Sequence, residues 1–304
     1  MNFINLANLG KTSFVNYLTT FVLVISAMLG FGLLPYTWRL KQLGLPVDGT
    51  ASPNIAMEMM GKNQFLVLQL LPFIFALAML LICIKVVHKR PIITLFTTRK
   101  AFDWKRFIVS FSAWGFLMGL MLGISYLSSK ESFTWNYDSN TFWSLLLVGL
   151  FVIPLQTTFE EVFFRGFLFQ ATGSIFKRGL TTALFTGILF GLVHGANPEV
   201  KLLGVGILAY YIGTGIFLGL LTWKDQGLEL SMGFHAVNNI FGAIILTNSW
   251  QVFQSDALLM DHTVPSFGWD TLLSLVICFP LLYFFFARRY GWKKGMKESL
   301  EVEK

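Results

Sequence analysis

Three polar clusters interrupt stretches of sequence that are otherwise almost wholly apolar: Glu160, Glu161 and Arg165 in FEEVFFRG, His194 at the end of FGLVH, and His235 with Asn239 in HAVNN. Together they supply a carboxylate pair, two imidazoles and a carboxamide. That is the inventory for activating a water and holding the oxyanion its attack creates. An ionisable side chain at membrane depth costs on the order of a few kcal/mol, so a chain that keeps several there has a use for them.

Spacing sorts the clusters. Glu161 and Arg165 stand four residues apart, on one face of a helix, where they can neutralise each other. A structural ion pair explains these two as well as chemistry does. Glu160 points about 100° away, beside Phe164, and lacks that partner. It is the free carboxylate of the motif, suited to take a proton from water and later return it. His194 follows Phe190 by one turn, and on its own a histidine there reads equally as a hydrogen-bonded core residue. His235 and Asn239 project from one helix face and alone would serve as hydrogen-bonding glue between helices. Their joint occurrence on separate apolar segments favours chemistry.

The elements that must position these residues follow from composition. Of 304 residues, 55% are hydrophobic and only 13% charged, and mean hydropathy is +0.64, which excludes an ordinary soluble domain. The 32 Phe and 9 Trp suit a lipid-facing surface, and the 27 Gly suit close helix packing. Eight segments have nearly the length a bilayer requires, roughly 14–36, 64–87, 107–127, 141–171, 180–194, 202–223, 228–247 and 271–287. The expected fold is all-α, a polytopic helical membrane protein with the site within the bundle. It forms a single integral membrane domain, 1–304, whose chemical core is 141–248. The first segment is too long for a signal-peptide core. The fourth is over-long and contains Pro154, expected to kink or divide it. The polar stretches 39–63, 128–140 and 249–270 read as loops, and 288–304 as a short charged tail.

Lys and Arg accumulate in cytoplasmic loops and so orient the bundle. Strict alternation of eight segments puts Lys85, Lys89, Arg90, Arg99, Lys100, Lys105, Arg106, Lys11, Lys177, Arg178, Lys224, Arg288, Arg289, Lys293, Lys294, Lys297 and Lys304 inside. Arg39, Lys41, Lys62, Lys130 and Lys201 are left outside. Both termini are therefore expected in the cytoplasm. The net charge of +7 reflects orientation rather than nucleic-acid binding, for which no motif is present. One difficulty accompanies this topology. Glu160 lies about 18 Å from the helix end near Ala171, whereas His194 falls near the outer end of its segment, so one cavity requires shifted boundaries or a tilted fifth helix.

Other features are structural. Cys83 and Cys278 lie in separate apolar segments and read as buried free thiols. The pairs Gly187 with Gly191 and Gly215 with Gly219 are helix-packing signals. No internal repeat of the transporter kind is evident.

The ordered set EExxxR, FxxxH and HxxxN resembles the CPBP family, which comprises CAAX prenyl endopeptidases and related bacterial proteins, some linked to bacteriocin processing or immunity. Here the motifs are Glu160, Glu161 and Arg165; Phe190 and His194; and His235 and Asn239. The resemblance covers about 159–239. It implies an intramembrane endopeptidase acting on a membrane-associated peptide or protein. Carried over, Glu160 is the general base, His194 positions the water, and His235 with Asn239 holds the tetrahedral intermediate. Glu161 and Arg165 are supporting residues. Zinc is the alternative, with Glu160, His194 and His235 as ligands, but HExxH is absent and Asn239 suits an oxyanion better than a metal, which favours a glutamate-activated water. The rival to an enzyme is a small transporter or a non-catalytic immunity protein using the same buried polar groups. A bacterial plasma membrane fits the composition.

Overall fold

The computed structural model describes residues 1–265 and 268–292. Helices run in the order α1 (Phe14–Gln42), α2 (Pro53–Met60), α3 (Lys62–Val86), α4 (Trp104–Ser128), α5 (Ser139–Phe176), α6 (Gly179–Ala196), α7 (Val205–Asp225), α8 (229–245) and α9 (Thr271–Arg289). Seven of them, all but α2 and α8, are long and apolar enough to cross a membrane. The chain is a polytopic helical membrane protein.

The expected segment 228–247 corrects the count of eight such spans. It becomes α8, 12 α-helical residues followed by a five-residue π stretch, and it is buried continuously from Glu229 to Val237. At ~1.5 Å per residue it reaches about 25 Å, short of the ~30 Å hydrocarbon layer. Because it is enclosed by the other helices, it can carry His235 and Asn239 without exposing them to lipid.

Pro154 neither kinks off nor divides the fourth segment, because α5 continues for 38 residues. A π stretch, Val148–Val152, lies just before the proline and widens the helix ahead of a residue that cannot donate an N–H. A second, Val162–Leu168, begins directly after Glu161. The segments read as loops also hold structure: α1 extends to Gln42, α2 occupies part of 39–63, and three short strands cap one end of the bundle. These are β1 (Phe133–Trp135), β2 (Leu246–Thr247) and β3 (Leu259–Asp261), in the order β1-β3-β2, with β1 antiparallel and β2 parallel to β3.

Glycines set the closest helix contacts. A Cβ at Gly187 would strike the Gly215–Ile216 backbone, one at Gly191 would strike Ile212, and one at Gly219 would press on Ala183, so α6 and α7 meet backbone to backbone. Gly233 does the same for α8 against Phe107 and Phe111 of α4. Cys83 and Cys278 are buried and free. Phe14, Phe116, Leu127, Phe151 and Phe284 are exposed, as expected for side chains facing lipid.

Loops that alternation assigns to the same side meet in space. Arg99 pairs with Asp225 and Glu229, and Arg106 pairs with Asp225 and Asp103, at one end. At the other end Lys62 pairs with Asp256, and Asn136 donates to the Ala257 carbonyl. The tail lysines Lys293, Lys294, Lys297 and Lys304 lie outside the described residues.

Candidate active site

Three helices bring the predicted residues together. Glu160 from α5, His194 from α6, and His235 and Asn239 from α8 all line one cavity of about 320 Å³. The depth conflict disappears because α6 ends at Val193 and His194 begins a 3₁₀ turn that descends into the space beside α8.

The cluster at the base of the cavity is organised around His235. Its Nδ1 lies 2.7 Å from Glu161 Oε1, and its Nε2 lies 3.3 Å from Glu160 Oε2. Glu160 is therefore not the unpartnered carboxylate that helical spacing suggested. The 100° offset that separates it from Arg165 turns it toward α8, a relation between helices that local spacing does not contain. The expected pairing of Glu161 with Arg165 is present, Nη1 donating to Oε1 at 3.0 Å with both side chains fully buried. Arg165 also donates through Nη2 to the Gly215 carbonyl at 3.2 Å and stacks its guanidinium 4.0 Å from the Phe190 ring centre. The Gly215 packing contact thus anchors a residue of the site as well.

Charge balance constrains this cluster. Glu161 and Arg165 cancel, leaving Glu160 and His235. An imidazolium facing two carboxylates makes the four groups neutral. A neutral imidazole donating from Nδ1 to Glu161 would turn its Nε2 lone pair toward Glu160, which is favourable only if Glu160 carries the proton. In both arrangements Glu160 and His235 hold one mobile proton between them.

His194 is oriented by its own helix. Its Nδ1 lies 2.7 Å from the Phe190 carbonyl oxygen, an acceptor only, so Nδ1 carries the hydrogen and Nε2 presents a lone pair. Its ring stacks on Tyr211 of α7, with centroids 4.6 Å apart. Asn239 donates through Nδ2 to Gln156 Oε1 at 3.1 Å and accepts at Oδ1 from Asn238 at 3.2 Å, and Asn238 in turn accepts from Trp114 at 3.2 Å. The second Nδ2 hydrogen of Asn239 has no need of that partner and is free for a ligand.

Sequence reasoning missed Gln156, Tyr211, Asn238 and Glu199, all of which line the cavity. Gln156 had a signal, since it precedes Glu160 by one turn. Asn238 adjoins a motif residue. Tyr211 and Glu199 had none, being placed by the packing of α7 and by a loop. Among the described residues no three His, Cys, Asp or Glu side chains converge to hold a metal ion. With both nitrogens of His235 facing carboxylates, Glu160, His194 and His235 do not form the three-ligand zinc set that was the alternative.

Residues 140–241, which carry every motif residue, match the family model described as type II CAAX prenyl endopeptidase Rce1-like. The chain is 31% identical over 206 residues to the uncharacterized protein YyaK of Bacillus subtilis (strain 168), covering 67% of this chain and 69% of that protein. No solved structure matches. Matched family, shared length and the convergence of all three motifs agree: the chain belongs to the Rce1-like type II CAAX prenyl endopeptidase family.

Proposed function

We propose that the protein is an intramembrane endopeptidase that hydrolyses a peptide bond of a membrane-associated peptide or protein with a glutamate-activated water. The observation that carries this reading is the convergence of Glu160, His194, His235 and Asn239, from three helices, on one cavity.

The residues divide the reaction as follows. Ionised Glu160 takes a proton from a water whose other hydrogen is accepted by His194 Nε2. The resulting hydroxide attacks the peptide carbonyl carbon, and the carbon–oxygen double bond opens to an oxyanion. Once Glu160 is protonated, its hold on the imidazolium weakens, and His235 Nε2–H and the free Asn239 Nδ2–H receive the oxyanion. Glu160 then gives its proton to the departing amine, the carbon–nitrogen bond breaks, and acid and amine are released. Glu161 and Arg165 hold the imidazole in place throughout. No step requires a metal, and cleavage is expected to survive a zinc chelator.

The test is cleavage of a membrane-peptide library by detergent-purified protein, comparing wild type with Glu160→Gln and His194→Ala and checking each fold by thermal melting. Removing an acid–base group is expected to lower the rate by roughly 10²–10⁴-fold. Cleavage unchanged in well-folded variants would remove both residues from the mechanism. Cleavage lost on chelation and restored by zinc would replace the metal-free route.

A further inference from the structure

Glu199 is the other carboxylate of the cavity, and the mechanism does not use it. It sits on the short helical segment Pro198–Leu203 between α6 and α7, and only 7% of its surface is exposed. Its Oε1 accepts from the Val252 backbone N–H at 2.9 Å, which ties two loops together over the site. Its Oε2 is buried and has no hydrogen-bond partner. The Tyr211 hydroxyl, which accepts from Asn197 at 3.3 Å, neighbours Glu199 without closing a hydrogen bond to it. A loop latch explains Oε1 and leaves Oε2 unexplained.

The surroundings are short of positive charge. Among the described residues no Lys or Arg lines the cavity, and Glu199 makes no salt bridge. Glu160 differs, because His235 faces it. The other polar lining is carboxamide, phenol, hydroxyl and imidazole. A buried carboxylate with a bare oxygen is costly in the empty protein and strongly favoured once a cation arrives. We propose that Glu199 is a specificity-determining residue that receives a positively charged group of the substrate, a lysine or arginine side chain near the bond to be cleaved. The inference rests on the protease reading above and specifies the substrate class of the same cavity. An acidic group at that position would meet Glu199 and be rejected.

The experiment takes a hydrophobic peptide from the library that wild type cleaves in a Glu160-dependent way. It is resynthesised with Lys, Met or Glu at each position within about four residues of the cleaved bond. At one position the Lys peptide is expected to exceed the Met peptide in kcat/KM by roughly tenfold or more, and the Glu peptide to fall below it, as for a charge-assisted contact. Glu199→Gln keeps the oxygen that accepts from Val252 and should bring the Lys-to-Met ratio close to one. Glu199→Lys should invert the order toward the Glu peptide. Equal rates across the series in wild type, or a Lys preference that persists in well-folded Glu199→Gln, would overturn the assignment while leaving the protease reading intact. If wild type cleaves no peptide in a Glu160-dependent way, both fall.

Discussion

Glu161 Oε1 lies 2.7 Å from His235 Nδ1, joining residues 74 positions apart in the chain, and the same oxygen accepts from Arg165 at 3.0 Å. One buried atom therefore both balances the guanidinium and orients the imidazole. Glu161→Gln would leave Arg165 buried without its counter-charge, and removing one member of a buried pair costs about 3–5 kcal/mol. The double variant Glu161→Gln with Arg165→Met should recover part of that loss. Chemical unfolding in detergent measures both, and equal stabilities would mean that the pair is not what the site leans on.

Gln156 orients Asn239 without being placed at the reacting atoms. Asn239→Ala should lower kcat by roughly 10²–10³, the scale for one oxyanion donor. Gln156→Leu is expected to give a smaller loss, expressed in kcat more than in KM. Kinetics on a single peptide decide this, and a Gln156→Leu variant with wild-type kcat would remove the orienting role.

Close approach of α6 and α7 makes a side chain at Gly215 untenable, because its Cβ would meet the Gly187 carbonyl. Gly215→Val should destabilise the fold by at least about 1–3 kcal/mol and displace the carbonyl that anchors Arg165. Gly119→Ala, where a Cβ meets nothing within 4 Å, is the control and should be neutral or slightly stabilising. Paired melting curves test the contrast.

Acid should loosen the docking of the amino-terminal segment through His88. Its Nδ1 donates to the Lys11 carbonyl at 2.8 Å, and its Nε2 accepts from the Thr20 hydroxyl at 3.0 Å, so the folded ring is neutral. Burial pushes its pKa below 6.5, Arg90 adds to that direction, and the bond to Lys11 only partly opposes it. A depressed histidine contributes stability that is complete above the unfolded value near 6.5 and is lost as pH falls through the lower folded value. Wild type should therefore lose more melting temperature between about pH 7.5 and 5 than His88→Gln does. Parallel pH profiles would contradict this.

The cavity is lined by Asn197, Glu199, Gln251 and Val252, at the end of the bundle opposite the cluster of Arg99 and Arg106. If the basic end is cytoplasmic, as the positive-inside rule predicts, the site opens to the outer face. Cysteines introduced at Val205 and Lys100 should then react with a membrane-impermeant thiol reagent from outside and only after lysis, respectively. The reverse pattern would invert the topology and with it the side from which substrate enters.

Much of this protein is legible in its sequence because membrane solvent enforces simple rules. Long apolar runs read as spans, Glu161 and Arg165 pair through helical spacing alone, and glycines four apart mark where two helices touch. Polar groups in apolar runs identify Glu160, His194, His235 and Asn239 as the chemically interesting set, whatever their mutual arrangement. Tertiary structure decided the rest. Segment 228–247 has the hydropathy of a span, yet its burial makes it an internal helix, a distinction that depends on its neighbours rather than its own residues. The contact of Glu160 with His235, the capture of Asn239 by Gln156 and the bare oxygen of Glu199 join helices and loops far apart in the chain. Local spacing specifies the face of a helix on which a side chain lies, but only packing specifies what that face meets.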